Sequence, residues 1–378
     1  MSLTVLMGQL VTDYEVWPEA ALILEDGKVK ELVRESSPPA NSEIHDYGEH
    51  YLVPGFVDLQ VNGCFGIDVA TDPDRLPELS EKLLSTGTTS YLPTLISSPE
   101  DLYEEVLPKL ARSLNDSAGA EALGLHLEGP FISPDKRGAH PQAFVILPDK
   151  NLLGHLMDLC SVRMVTLATE LDGAGELVDF ATGRGAVVSA GHSEASFESA
   201  YEAFDHQVTA VTHLFNGMNP LHHRKPGVVG AAFAHPRVVC GLVADGVHVH
   251  PEVVGLAFRM LGPDRLYVAG DTTAATGMGP GEYALATRKV YQDANVARLK
   301  EGMLAGSLTT IDTAFQNILA FTGCTLPEAV RMVSSTPARL IGEGRRKGRL
   351  FEGYDADVTV LAPDLSVEAV WKNGRKVF

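Results

Sequence analysis

Four side chains of types that bind metals or move protons follow four separate apolar segments of this chain. Glu128 follows one such segment, His192 and His213 follow two later ones, and Asp271 follows a fourth. A carboxylate and two imidazoles can bind a divalent metal and leave a fourth position open for water. The metal lowers the pKa of that water, and Asp271 could accept the proton and return it to a leaving amine. This set predicts metal-dependent hydrolysis.

Each of these residues has a simpler explanation when it is considered alone. A histidine at a strand end is more often a hydrogen-bonded structural residue than a ligand. Glu128 could cap a helix or pair with Arg137, and Asp271 could cap the turn that follows it. Because all four recur after successive strand-like segments, a shared metal site is favoured. His126 faces the same side of its strand as Glu128, and we expect it to pack rather than to bind metal.

The segments that carry these residues alternate with amphipathic helices. The strand candidates are Gly55–Gln60, Ser90–Thr94, Leu123–Leu127, Met164–Ala168, Ala186–Ala190, Thr209–Thr212, Val238–Ala244 and Leu266–Ala269. The helix candidates include Leu76–Ser85, Glu100–Leu110, Phe197–Ala203, Pro251–Met260 and one continuous helix over Pro327–Ile341. About eight β/α units in roughly 220 residues predict an α/β fold of the (β/α)8 TIM barrel type, whose strands end at one common mouth. A doubly wound open sheet is disfavoured because polar residues follow many strands rather than one phosphate-binding turn.

Both ends of the chain have the pattern of short strands and tight turns. Apolar residues 21–24 precede Glu25-Asp26-Gly27-Lys28, and residues 357–361 and 370–377 are further strand candidates, the last with an Asn373-Gly374 turn. We therefore expect residues 1–53 and 345–378 to form a small β-sandwich satellite domain. Residues 54–344 are expected to form the barrel.

Composition and charge restrict the partners of the chain. Its 378 residues are 45% hydrophobic and 21% charged, a balance typical of soluble globular proteins. Thirty basic and 49 acidic residues give a formal net charge of −19, which argues against nucleic acid or anionic membrane as a partner. The four cysteines form no CxxC pair, and no signal peptide or membrane-spanning segment is evident. We therefore expect a cytoplasmic protein.

Several motifs resemble the amidohydrolase superfamily. They are Pro54-Gly55-Phe56-Val57-Asp58, His126-Leu127-Glu128-Gly129-Pro130-Phe131, Gly191-His192-Ser193, Thr212-His213-Leu214-Phe215-Asn216-Gly217-Met218, Ala244-Asp245-Gly246-Val247-His248 and Asp355-Ala356-Asp357-Val358-Thr359. Within that superfamily the set is similar to the N-acetylglucosamine-6-phosphate deacetylases, over nearly the whole chain. The resemblance implies hydrolysis of the acetamide of N-acetylglucosamine 6-phosphate to glucosamine 6-phosphate and acetate. The alternatives are a related substrate, such as N-acetylgalactosamine 6-phosphate or a cyclic amide, and an inactive scaffold, which the presence of all four residues disfavours.

The same resemblance implies roles for individual residues. Glu128, His192 and His213 match metal ligands, Asp271 matches the acid/base, and His140 matches a catalytic group that contacts the acetamide carbonyl. The implied substrate-binding residues are Ala139, His140, Asn216, Gly217, Arg224, His248, Leu304, Ala305 and Gly306. Arg224 lies in the densest basic run near the barrel mouth, His222–Lys225, and is expected to bind phosphate. The resemblance also implies a homodimer, and whether Arg224 acts in its own chain or across the interface is left open.

Gln60 and Asn62 stand where many amidohydrolases carry a His-x-His pair that binds a second metal. Neutral amides bind divalent transition metals poorly. We therefore expect one divalent metal per chain, with Gln60 and Asn62 lining the site in place of that pair. Zinc suits the ligands best, and iron, cobalt and manganese are alternatives.

Overall fold

A computed structural model describes residues 3–34, 39, 42–114, 118–293 and 296–378. Its strands are β1 (Thr4–Val11), β2 (Val16–Glu25), β3 (Lys28–Arg34), β4 (Glu43–Pro54), β5 (Phe56–Val61), β6 (Gly63–Cys64), β7 (Ile67–Asp68), β8 (Thr88–Ile96), β9 (Glu121–Ala122), β10 (Leu125–Glu128), β11 (Val162–Leu167), β12 (Val187–Ala190), β13 (Val208–Val211), β14 (Val239–Leu242), β15 (Leu266–Val268), β16 (Gly281–Leu285), β17 (Arg288–Gln292), β18 (Ala297–Arg298), β19 (Val358–Leu361), β20 (Val367–Lys372) and β21 (Arg375–Lys376). Its α-helices are α1 (Leu76–Leu83), α2 (Glu100–Ser113), α3 (Lys150–Leu159), α4 (Ala174–Gly183), α5 (Phe197–His206), α6 (Gly227–Ala234), α7 (Pro251–Leu261), α8 (Ile311–Thr322), α9 (Leu326–Val333) and α10 (Ser335–Leu340). No helix in these ranges has the length and apolarity needed to cross a bilayer.

Eight parallel strands form the wall of a barrel, in the order β5, β8, β10, β11, β12, β13, β14 and β15. Helices α1 to α8 alternate with these strands along the chain, as the (β/α)8 pattern requires. All eight predicted strands are confirmed, each within a few residues of its predicted bounds. The carboxyl ends of the strands therefore meet at one mouth.

The side chain of Asp58 bridges the seam between the first and last barrel strands. Its Oδ1 accepts the backbone N–H of Gly270 at 3.0 Å and that of Gln60 at 3.1 Å. Just above it, the N–H of Asn62 donates to the carbonyl of Thr272 at 2.9 Å. Burial raises the pKa of Asp58 to about 7. The seam thus fixes the exit of the first strand against the exit of the last.

The two ends of the chain form one seven-stranded sheet outside the barrel, in the order β21, β20, β19, β4, β1, β2 and β3. C-terminal strand β19 pairs antiparallel with N-terminal strand β4. An apolar cluster within this unit includes Leu6, Leu22, Val358 and Trp371, so both ends of the chain share one core. The satellite built from the terminal segments is confirmed, whereas its division from the barrel at residues 53/54 and 344/345 stays a prediction.

Both predicted hairpin turns are present in the satellite. Asp26-Gly27 joins β2 to β3, and Asn373-Gly374 joins β20 to β21. The φ angles are 49° and 78° in the first turn and 47° and 72° in the second. Two-residue type I′ turns require positive φ at both positions, which Asn, Asp and Gly tolerate best.

The continuous helix predicted over Pro327–Ile341 is wrong, because α9 and α10 are separated at Ser334. This residue has φ −134° and ψ −77°, outside the helical region. Pro337 explains the break, since it has no N–H for the carbonyl of Val333 and its ring would collide with that carbonyl. The hydroxyl of Ser334 instead donates to the carbonyl of Pro54 at 3.2 Å, beside the start of the first barrel strand.

Candidate active site

The four side chains predicted to perform chemistry all lie at the barrel mouth. Glu128 is the last residue of β10, while His192, His213 and Asp271 follow the ends of β12, β13 and β15. The last three have φ angles of 49°, 30° and 46°. Such left-handed conformations in residues other than glycine cost on the order of 1–3 kcal/mol each and are concentrated at functional sites. The surrounding structure therefore holds the backbone of these three residues in a strained conformation.

Three ligand atoms converge on one point, namely Glu128 Oε1, His192 Nε2 and His213 Nε2. The histidine atoms lie 3.2 Å and 2.9 Å from the carboxylate oxygen and 3.1 Å from each other. Ligands bound to tetrahedral zinc at ~2.0–2.1 Å lie roughly 3.3 Å apart, so this spacing fits one ion. The Nδ1–H groups of His192 and His213 donate to the carbonyls of Lys136 and Asn216 at 2.7 Å and 3.1 Å. Each Nε2 lone pair is therefore available to a metal.

The electrostatics at this point favour a cation. Burial would raise the pKa of Glu128, but hydrogen bonds from His192 and His213 outweigh burial and hold that pKa well below its ordinary value. Burial would lower the pKa of His213, but the Glu128 carboxylate raises it to about 9. Without an ion, a proton on His213 compensates the buried carboxylate; a divalent ion would supply that positive charge instead and leave the Nε2 lone pair free to bind it.

His140 lies beside the same carboxylate, and distance alone would also allow Glu128, His140 and His192 to bind a metal. The hydrogen bonds argue otherwise. The backbone N–H of Ser97 donates to His140 Nδ1 at 3.1 Å, so the ring proton lies on Nε2, which is 3.9 Å from Glu128 Oε2. Burial, together with the charge of His192, lowers the pKa of His140 to about 3. His140 is therefore a neutral hydrogen-bond donor without a lone pair for a metal.

Two amides from the first strand hold Asp271. Gln60 Nε2 donates to Asp271 Oδ1 at 3.1 Å and to Glu128 Oε1 at 3.0 Å, and Asn62 Nδ2 donates to the same Asp271 oxygen at 3.2 Å. Burial, with the charge of Glu128, raises the pKa of Asp271 to about 7. A carboxyl with this pKa can accept and release a proton near neutral pH. Gln60 and Asn62 thus direct N–H donors at the two carboxylates, and neither offers the imidazole or carboxylate that a second metal would prefer.

A cavity of about 400 Å³ opens over these groups, a size typical of small-molecule sites. Six of the predicted substrate-binding residues lie on its wall together with His140: Ala139, Asn216, Gly217, His248, Leu304 and Gly306. The Nδ1 of His248 is hydrogen bonded to Asp245 Oδ2 at 2.6 Å, which fixes the ring. Ala305 is instead buried in the core, and exposed Arg224 contacts His223, so the structure places neither on the wall of its own cavity.

Known proteins resemble this chain over nearly its whole length. The sequence model of the amidohydrolase family matches residues 51–377. The N-acetylglucosamine-6-phosphate deacetylases of Homo sapiens and Bos taurus are 38% and 37% identical to the chain, over 99% of its length and 94% of theirs. The chain belongs to the amidohydrolase family. The predicted resemblance is thereby confirmed.

The fold of this amidohydrolase is shared with solved structures. A variant of the N-acetyl-D-glucosamine-6-phosphate deacetylase of Mycobacterium smegmatis, in complex with N-acetyl-D-glucosamine-6-phosphate, aligns with a TM-score of 0.93. It is 32% identical and covers 100% of both chains. At this identity the likeness extends beyond the general barrel architecture.

The cavity of this amidohydrolase also has wall residues that sequence reasoning missed. Ile96 ends the second barrel strand and Lys136 lies in the segment after β10, while Leu285 and Met303 come from the segment inserted between β15 and α8. Ile96 lies two residues beyond the predicted strand Ser90–Thr94, so extending that prediction to the end of the apolar run would have found it. The inserted segment lies outside the β/α repeat, so nothing in its pattern indicates that it reaches the mouth.

Proposed function

We propose that this amidohydrolase hydrolyses the acetamide of N-acetyl-D-glucosamine 6-phosphate to D-glucosamine 6-phosphate and acetate. The observation that carries the proposal is the convergence of Glu128, His192 and His213 beside Asp271 in one cavity. The names of the relatives and the phosphosugar in the M. smegmatis complex support this substrate.

The side chains divide the work of amide hydrolysis among them. Glu128, His192 and His213 would hold a divalent ion that, when bound, polarises the carbonyl and lowers the pKa of water. Asp271 accepts the proton of the attacking water as the new C–O bond forms, and donates it to the nitrogen as the C–N bond breaks. His140 donates from Nε2 to the carbonyl oxygen as negative charge develops there.

One zinc ion per chain is the proposed cofactor. Two imidazoles and one carboxylate suit zinc, with iron, cobalt and manganese as alternatives. Gln60 and Asn62 donate their amide N–H groups to the carboxylates, and neutral amides are poor ligands for a second transition-metal ion. Elemental analysis should find about one equivalent of metal per chain, and two equivalents would contradict the proposal.

Arg224 is proposed to bind the substrate phosphate across a homodimer interface. Its exposed guanidinium does not line the cavity of its own chain, which fits a role in a neighbouring subunit. Arg pairs well with phosphate because its planar guanidinium can donate two hydrogen bonds at once.

The cytoplasm is the proposed location, because all four cysteines are free thiols, as a reducing compartment favours.

Acetate release from N-acetylglucosamine 6-phosphate, before and after chelation, tests this function. Chelation should abolish turnover and zinc should restore it. Unphosphorylated N-acetylglucosamine should lose about 10- to 100-fold in kcat/KM, as expected when charged hydrogen bonds are lost. If no acetate were released, the proposed function would be rejected. Faster turnover of N-acetylgalactosamine 6-phosphate would reject N-acetylglucosamine 6-phosphate as the preferred substrate. Equal rates for phosphorylated and unphosphorylated N-acetylglucosamine would reject the role of Arg224.

A further inference from the structure

Asn62 carries a buried polar atom whose partner is not in the protein. The residue is 4% exposed and lies on the cavity wall. Its Nδ2 donates to Asp271 Oδ1 at 3.2 Å, which fixes the amide so that Oδ1 occupies the other position. Among the described residues no donor reaches this Oδ1. Buried amide oxygens almost always accept a hydrogen bond, so a bound molecule is the expected donor.

The backbone holds this acceptor in place beside the acid/base. The N–H of Asn62 donates to the carbonyl of Thr272, the residue after Asp271, at 2.9 Å, and the carbonyl of Asn62 accepts from Val69 at 2.9 Å. Rotation of the side-chain amide would break its contact with Asp271. The free oxygen therefore stays beside the Asp271 carboxyl.

The chemistry at Asp271 identifies the donor. The nitrogen of the scissile amide carries one N–H before reaction and gains a second hydrogen when Asp271 delivers its proton. The carbonyl oxygen of the substrate offers no hydrogen, and the attacking water gives one of its two hydrogens to Asp271 while the other stays on the oxygen that bonds to the carbonyl carbon. The amide N–H is the donor on the atom that receives the proton from Asp271, so it suits the unpartnered acceptor beside that carboxyl.

We propose that Asn62 Oδ1 accepts a hydrogen bond from the N–H of the scissile amide and keeps it as the nitrogen leaves as an amine. This role rests on the proposed deacetylation and adds a substrate contact to the first strand. It aligns the nitrogen with Asp271 while the C–N bond breaks, so its benefit depends on a substrate that has an N–H.

An ester analogue separates this contact from other effects of Asn62. In 2-O-acetyl-D-glucose 6-phosphate an oxygen replaces the N–H, so the proposed hydrogen bond cannot form. Asn62→Ala should lower kcat/KM for the amide about 10- to 100-fold and for the ester less than about 3-fold. Asn62→Ser, whose shorter side chain also withdraws the acceptor, should show the same pattern if the alanine variant does not fold.

Gln60→Ala is the matched control, because Gln60 donates to the same Asp271 oxygen but Asn62 is left intact. Its losses should be similar for amide and ester, and metal content should be measured in each variant because Gln60 also contacts Glu128. Equal losses on both substrates in the Asn62 variants, or an equally amide-specific loss in Gln60→Ala, would overturn the inference. If the wild-type enzyme hydrolysed the amide in the same assay, the proposed deacetylation would be supported even where the role of Asn62 was rejected.

Discussion

At the scale of single residues, three histidines at one site are distinguished by what occupies Nδ1. His192 and His213 donate from Nδ1 to backbone carbonyls, so Nε2 keeps its lone pair. His140 accepts a backbone N–H at Nδ1, so Nε2 keeps its proton. Metal ligation and proton donation therefore follow from backbone groups at Nδ1, which are distant in sequence for His192 and His140 and three residues away for His213.

Replacing Asp271 with Asn removes the proton acceptor while preserving side-chain shape. We expect Asp271→Asn to lower kcat about 100- to 10,000-fold, because an amide cannot take the proton of water. Its fold and metal content should match the wild type, since Glu128, His192 and His213 are unchanged. Steady-state acetate release and elemental analysis measure both properties, and near-normal turnover would remove Asp271 from the mechanism.

The sequence predicts a site residue when its chemical type and its place after a strand are sufficient. It does not predict a residue whose role depends on a contact with a distant part of the chain. Glu128, His192, His213 and Asp271 could be proposed because their chemistry recurs after successive strands. The positive φ angles of His192, His213 and Asp271 could not, since residues other than glycine adopt them only under tertiary constraint. The contact between Ser97 and His140 also joins segments with no shared local pattern.

At the scale of elements, periodicity predicts the strands well because each must bury apolar side chains. The eight barrel strands and both Asn-Gly or Asp-Gly hairpins are examples. Prediction fails where one residue overrides a continuous pattern, as Pro337 does between α9 and α10. The pattern does not specify where Arg224 lies relative to the cavity, because a surface loop is not fixed by burial.

The seam of the barrel should be sensitive to one methyl group. A Cβ on Gly270 would lie 2.1 Å from Asp58 Oδ2, so Gly270→Ala must displace that carboxyl or the strand exit before Asp271. We expect the free energy of unfolding to fall by about 1–3 kcal/mol and kcat to fall with it. Gly175→Ala is the control, because Gly175 is an exposed position of α4 and, beyond its own stretch of helix, no described atom would lie within 4 Å of the added Cβ. Urea unfolding that gives equal stabilities for both variants would contradict the role of the seam.

At the scale of the whole molecule, an ion-pair network joins the satellite to the barrel. Buried Lys347 contacts Glu121 of β9 at 2.7 Å, and Asp355 and Asp357 at the edge of the satellite at 2.9 Å and 2.6 Å. Arg346 reaches Glu121 at 2.7 Å and Asp355 at 2.8 Å. Buried charges are tolerated when they are paired in this way, so loss of one cation leaves several carboxylates uncompensated.

This network makes the stability of the protein dependent on pH in a direction that the pKa shifts specify. Burial would raise the pKa values of Glu121 and Asp355, but their cationic partners outweigh it and hold both at about 2. Because these folded-state values lie below the unfolded values of about 4, the stabilisation is complete above pH ~4.5 and is lost toward pH 2.

Lys347→Met should therefore destabilise the protein by about 3–5 kcal/mol at neutral pH. In urea unfolding the difference from wild type should shrink near pH 3, where the carboxylates of the variant are protonated. Lys150→Met is the control, because it removes an exposed pair with Glu176 and should change the free energy of unfolding by less than about 1 kcal/mol at either pH. If the effect of Lys347→Met did not depend on pH, packing rather than charge would join the satellite to the barrel.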